Sequence, residues 1–209
     1  MSHRSFPAPI ALFDEGTRTV FEFLLRHGLL REEYRVLDIG CGPLRVGRHL
    51  ILFLNPGCYY GVEPAEQMLK CGLEEEVIRP FGERLLKWKA PTFSHVSNSD
   101  FSSFGYAPFK LVFSYQVFIH CGPEQLRQCL RSVRDALFAG GKFVFTIWLA
   151  DKDRHVPKTA GEPYNYGAAS HLMTFYRRDT LEAIVKEEGF KLDFIEKSEE
   201  YRFHWVVVH

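Results

Sequence analysis

The chain has no C-x-x-C pair, and its five cysteines, at 41, 58, 71, 121 and 129, are scattered and odd in number. That is a poor basis for a disulfide framework or a paired-cysteine metal site. We read them as reduced thiols filling small apolar spaces, and we expect a cytoplasmic protein with no metal centre. Net charge is also missing, with Lys plus Arg equal to Asp plus Glu at 26 each. No general field therefore draws the chain to nucleic acid or to an anionic membrane. No apolar run reaches the roughly 18 residues of a membrane span. The opening Met-Ser-His-Arg-Ser-Phe-Pro lacks the apolar core of a signal peptide. Internal repeats and low-complexity segments are absent too. What remains, 209 residues, suits one domain that buries a core without staples.

The most informative stretch is Val36-Leu37-Asp38-Ile39-Gly40-Cys41-Gly42-Pro43-Leu44-Arg45. Val36, Leu37 and Ile39 have the character of a buried parallel strand, and Gly40 and Gly42 supply turn conformations that a Cβ resists. Pro43 suits the first turn of a helix, since it has no N–H to leave unsatisfied. Strand, glycine turn and helix start together make a place where backbone N–H groups receive a carboxylate or phosphate.

Around it the chain alternates. Phe13, Thr17, Val20 and Leu24 recur at helical spacing before Gly28, so residues 1–33 are expected to form an N-terminal helical cap. A helix follows the glycine turn as far as Asn55-Pro56-Gly57, and Cys58 to Pro64 forms a second strand with Glu63 at its carboxyl end. Glu66 to Glu75 returns to helix. Phe93 to Phe101 is a third strand, Phe109 to His120 a fourth, and Lys142 to Leu149 a fifth, the last two joined by a helix that Pro123 and Glu124 open. Residues 151–177 have little periodicity but carry Tyr164, Tyr166, His171 and Tyr176, which a solvated linker does not need. We expect a substrate-facing loop there. A helix from Asp179 to Gly189 and a hairpin-like pair, Lys191–Glu196 and Phe203–Val208, complete an α/β sheet with helices on both faces.

Ligands on such sheets bind beyond the carboxyl ends of the strands, where Asp38, Glu63, Asp100 and the Ser114 to His120 stretch all fall. Glu63, about twenty residues after the glycine turn, is placed to accept hydrogen bonds from two ribose hydroxyls. Asp100 is a partner for the exocyclic amino group of a purine. A dinucleotide fingerprint needs glycine at 45, where this chain has Arg45. Asp38 would repel a pyrophosphate but attract the ammonium group of an amino acid. The sign favours S-adenosylmethionine over a nicotinamide dinucleotide.

With these residues in order, the chain from about Tyr34 onward resembles the class I, Rossmann-like S-adenosylmethionine-dependent methyltransferases. Val36 to Gly42 is similar to that family's first motif, Glu63-Pro64-Ala65-Glu66-Gln67-Met68-Leu69 to its acidic second motif, and Asn98-Ser99-Asp100-Phe101 to the adenine-contacting third. Ala139-Gly140-Gly141-Lys142-Phe143 resembles the turn into the fifth strand. The likeness implies a three-layer sandwich whose seven-stranded, mostly parallel sheet has the order 3-2-1-4-5-7-6 with strand 7 antiparallel. It implies that Asp38, Gly40, Cys41 and Gly42 hold the methionine part of the cofactor, Glu63 and Pro64 the ribose, and Met68, Ser99, Asp100 and Phe101 the adenine. Ser114, Tyr115 and Gln116 would border the methyl group, with S-adenosylhomocysteine as the product left behind. The variant Gly42-Pro43-Leu44-Arg45 is similar to a branch that modifies sugars or small metabolites.

A methyltransferase of this kind must align a nucleophile and exclude water. If the acceptor is a hydroxyl, His120 is the first choice of base and His171 the second, because histidine titrates near neutrality. Tyr164, Tyr166 and His171 are candidate walls for a small-molecule substrate. Nucleic acid is a less suitable acceptor, since Ser114-Tyr115-Gln116-Val117 stands where an Asn/Asp-Pro-Pro-Tyr segment would hold a flipped base. The competing reading is a non-catalytic protein that keeps the cofactor pocket as a sensor or partner subunit. Product formation separates the two.

Overall fold

The computed structural model describes residues 11–96, 100, 101, 104, 108–150, 154–157, 172–199 and 201–209. Four parallel strands form its centre: β1 (Val36–Ile39), β2 (Tyr59–Val62), β3 (Thr92–Ser94) and β4 (Phe109–Ser114), with β1 between β2 and β4. The long β5 (Leu137–Leu149) joins β4 in parallel. On its other side β5 meets β9 (His204–Val208), which runs antiparallel and pairs in turn with β8 (Leu192–Lys197). The order β3-β2-β1-β4-β5-β9-β8 is the one expected, and its antiparallel member is the last strand in the chain.

Strand alternation sends side chains to two separate cores. Leu37, Ile39, Val112, Phe143, Phe145, Val206 and Val208 meet helices α6 (Pro123–Ala136) and α7 (Arg178–Glu187) through Leu126, Leu130, Val133, Leu181, Ile184 and Val185. Val36, Leu111, Phe113, Val144, Trp205 and Val207 meet α1 (Ala11–Arg26), α2 (Gly47–Phe53) and α3 (Glu66–Gly72) through Val20, Leu24, Leu50, Ile51 and Leu69. The two cores make the three layers. The parity of β4 breaks between Phe109 and Leu111, where the register with β5 shifts, so Phe109 and Val112 reach the same core. α6 begins as its sequence indicates, with Pro123 in the first turn and the Gln125 side-chain oxygen accepting the Gly122 N–H at 2.8 Å.

Several boundaries differ from the sequence reading. α2 starts at Gly47, not at Pro43, because residues 43–46 form an extra turn in which Leu44 takes a left-handed φ of +60°. β3 is three residues long, so Asp100 and Phe101 lie beyond it. β4 stops at Ser114 and a short 3₁₀ turn, Phe118–His120, follows. The segment expected to be a loop over 151–177 contains β6 (Arg154–Pro157) and β7 (Leu172–Tyr176), an antiparallel ribbon attached to the end of β5. Two short helices, α4 (Arg79–Phe81) and α5 (Glu83–Lys89), were not foreseen in a stretch interrupted by Pro80 and Gly82. Among the described residues no helix is long and apolar enough to cross a membrane.

Between α3 and α4 the helix widens into a π turn, Leu73–Ile78, which presents Glu76 to Arg48 of α2. Both side chains are buried, and Arg48 reaches on to the exposed Asp14 of α1. Arg48 thus ties three helices together on one side of the sheet. Arg48→Met should lower the unfolding free energy by roughly 3 kcal/mol, because it leaves a buried carboxylate without this cation. Asp14→Ala should cost less than about 1 kcal/mol. Urea titrations of the two variants check the contrast.

Candidate functional site

The glycine turn after β1 is held from both sides. The N–H groups of Gly40 and Cys41 both donate to the Val62 carbonyl, at 2.8 and 3.0 Å. From the other flank the Ser114 hydroxyl donates to the Ile39 carbonyl at 3.1 Å. Gly40 (φ +74°) and Gly42 (φ +54°) take conformations that L side chains avoid. A Cβ at 40 would also strike Val117, just beyond β4. A Cβ at 42 would lie 3.8 Å from the Met68 sulfur, so turn and α3 share one small space.

Glu63 is the second element. One carboxylate oxygen accepts the Gly42 N–H at 3.0 Å and the other accepts the Ala65 N–H at 2.8 Å. Each oxygen retains acceptor capacity for a further donor. The side chain is only partly buried, as is Met68, whereas Pro64 is exposed.

Asp38 lies on the same end of the sheet, 3% exposed, and accepts a hydrogen bond from the Tyr59 hydroxyl at 2.9 Å. Burial raises its pKa to about 7, a rise that the Tyr59 hydrogen bond opposes and the Glu63 charge reinforces. Burial likewise pushes the Cys41 thiol well above its ordinary range. Cys41 is therefore a packed thiol and not a nucleophile. The arrangement amounts to a buried carboxylate and a second, partly buried one flanking a glycine turn.

The other residues singled out from the sequence are distributed unevenly. Ser114 is fully buried and its hydroxyl donates to the Ile39 carbonyl, so it braces the turn. Phe101 packs into the core beside Phe104 and Phe109, while Asp100 is exposed. Tyr115 is half-buried against Phe203 and Trp205, and the Arg45 guanidinium lies 5.4 Å from its ring centre. A cation of the protein therefore already sits over that ring. Gln116 adopts φ +60° and its N–H donates to the Thr146 hydroxyl at 2.7 Å. His120 ends the 3₁₀ turn, half-buried, with its N–H on the Val117 carbonyl at 2.9 Å. Tyr176, expected in a loop, is a buried residue of β7 whose hydroxyl donates to the Cys121 carbonyl at 2.8 Å. Ser99, Tyr164, Tyr166 and His171 lie outside the described residues.

Residues 13–193 match a family described as a methyltransferase domain. The chain belongs to the methyltransferase domain family. No curated protein sequence matches it. Solved methyltransferases share the fold at low identity. The glycopeptide N-methyltransferase MtfA superposes with a TM-score of 0.69 at 15% identity, covering 93% of this chain and 90% of its own. CcbJ from Streptomyces caelestis gives 0.67 at 18% identity, covering 99% and 94%. Magnesium protoporphyrin IX methyltransferase from Synechocystis PCC 6803, solved with bound S-adenosylmethionine, gives 0.63 at 14%, covering 93% and 78%. In this methyltransferase the structure adds two residues that the sequence reading missed, Tyr59 and Val117, which contact Asp38 and Gly40 from β2 and from the segment after β4. Gly61 was a readable signal for Tyr59. Opposite Asp38 in the parallel register stands a residue with no side chain, which opens that face to its neighbours.

The raised pKa of Asp38 has a thermodynamic consequence. Between the unfolded value of 3.8 and the folded value of about 7, the native state binds more protons than the unfolded one, so this group's contribution weakens as pH rises through that window. Asp38→Asn should remove that loss. Relative to wild type, its unfolding free energy should rise between pH 4 and pH 8 by up to a few kcal/mol, read by urea titration across pH. A pH-independent difference would mean that Asp38 keeps an ordinary pKa.

Proposed function

We propose that the chain is an S-adenosylmethionine-dependent methyltransferase of cytoplasmic location that methylates a hydroxyl group on a small molecule, such as a sugar or a metabolite. The observation that carries this reading is the pairing of Asp38 and Glu63 across the Gly40–Gly42 turn. When bound, S-adenosylmethionine supplies a methyl carbon already made electrophilic by the sulfonium. The chain's own residues have three tasks.

The first is to hold the amino acid end. A buried carboxylate that titrates at about 7 is poorly stabilised alone and gains from a neighbouring ammonium group, which holds it ionised. The glycine turn presents clearance beside it that side chains would fill. The second task is the ribose, for which Glu63 is held rigid by two backbone N–H groups while its remaining lone pairs stay available. The third is the acceptor. His120, on the turn that follows β4, takes the hydroxyl proton as the carbon–oxygen bond forms and the carbon–sulfur bond breaks, its electron pair staying on the sulfur of the S-adenosylhomocysteine product, and Tyr164, Tyr166 and His171 are the proposed substrate walls. Tyr115 and Gln116, which follow directly on the end of β4, are the proposed border of the methyl group.

The test has separable parts. Calorimetry should detect S-adenosylmethionine binding that Asp38→Ala and Glu63→Ala each weaken by at least about tenfold, since each removes a charged hydrogen-bonding partner. Unchanged affinity in both variants would place the cofactor elsewhere. With hydroxylated small-molecule acceptors, S-adenosylhomocysteine should accumulate, and His120→Ala should slow turnover on the order of 10²-fold while leaving cofactor affinity intact. Full activity of that variant would remove His120 as the base. Tight cofactor binding without product across sugars, phenols and amines would favour the sensor reading.

A further inference from the structure

Tyr59 lies inside β2 at 2% exposure, and its hydroxyl donates to Oδ2 of Asp38. The Cys41 thiol approaches the same hydroxyl, so one phenol joins the strand carboxylate to the turn. The surroundings are shaped to admit it. A Cβ at Gly47, the first residue of α2, would collide with the Tyr59 hydroxyl, and a Cβ at Gly61 would lie 3.0 Å from the Cys41 sulfur. The same two positions also face apolar neighbours, Leu44 beside Gly47 and the Phe93 ring beside Gly61, so the phenol is packed tightly on all sides.

We propose that Tyr59 is a positioning residue for the methyl donor: by occupying Oδ2 it fixes the rotation of the Asp38 carboxylate and leaves the other oxygen to receive the donor's ammonium group. This rests on Asp38 being the ammonium acceptor. The titratable groups facing Asp38 are Tyr59 within β2, Cys41 in the turn and Glu63 at the end of β2. Burial and Glu63 both favour the protonated carboxyl, and the Tyr59 hydroxyl favours the ionised one. Tyr59 therefore lowers the pH above which the site is ready for a cation, a threshold that burial raises. A phenylalanine would fill the same volume and lose only that effect.

The experiment compares wild type with Tyr59→Phe. S-adenosylmethionine affinity is measured by calorimetry from pH 6 to pH 9, and the Asp38 carboxyl is titrated by carbon NMR without cofactor. Losing a hydrogen bond to a carboxylate should raise the Asp38 pKa by about one unit, so affinity near pH 7 should fall about fivefold and largely recover at pH 9. Wild-type affinity at every pH, or an unchanged Asp38 titration, would overturn the proposal and leave Tyr59 as packing. If wild type binds no S-adenosylmethionine at any pH, the cofactor reading fails together with the ammonium role. The carboxyl titration then still decides whether Tyr59 governs Asp38. Should Tyr59→Phe fail to fold, 3-fluorotyrosine at position 59 keeps the shape with a stronger donor. It should shift the Asp38 titration downward, and an absence of shift would overturn the proposal.

Discussion

The carboxyl end of β2 carries the constraint on which the site depends. Val62 offers one carbonyl to two successive N–H groups of the glycine turn, and Glu63 offers one carboxylate oxygen to a third. Three donors in a row are thereby satisfied by two adjacent residues of the neighbouring strand, so the turn cannot shift without breaking several hydrogen bonds together. Ser114 locks the same turn from β4. The parallel register of β1 between β2 and β4 delivers these groups to one level, with Asp38 opposite Gly61 and Phe113. Fold and site are coupled here through the strand register, which brings the Val62 carbonyl and the Glu63 and Ser114 side chains to the same turn.

Within that frame the unfavourable element is Asp38. A carboxylate buried beside a second carboxylate is destabilising unless something offsets it. The Tyr59 hydroxyl offsets part of the cost in the free protein, and a cation in the site would offset more. Stability and ligand readiness therefore oppose one another at this position, a pattern expected where a site is kept for binding. On the helical side of the same layer, the Arg48–Glu76 pair is a buried charge of the opposite kind. It is already matched, and it connects α2 to the π turn that carries the chain away from α3.

The sheet was legible because its strands are apolar runs separated by glycine and proline punctuation, and the alternation of Leu37 and Ile39 with Val36 shows directly in the two cores. Asp38, Glu63 and the glycines were legible because polar residues at strand ends have few reasons to stand there. Other features lay below that signal. Leu44 in a left-handed turn violates local preference, and only the packing of a fully buried leucine sustains it, so the start of α2 was placed too early. α4 and α5 are interrupted by Pro80 and Gly82 and hold too few turns for periodicity to show. Ser114 reads as a polar residue at a functional edge, but burial turns its hydroxyl towards a carbonyl of β1. Tyr59 reads as an aromatic strand residue, and its hydrogen bond exists only because β1 lies beside β2.

The most direct measurement is a crystal structure of the protein with S-adenosylhomocysteine. The ammonium group should lie within hydrogen-bond distance of Asp38, both ribose hydroxyls should contact Glu63, and the Gly42 N–H bond to Glu63 should persist. The homocysteine or the ribose bound away from these two carboxylates, with the turn unengaged, would contradict the assignment of the site.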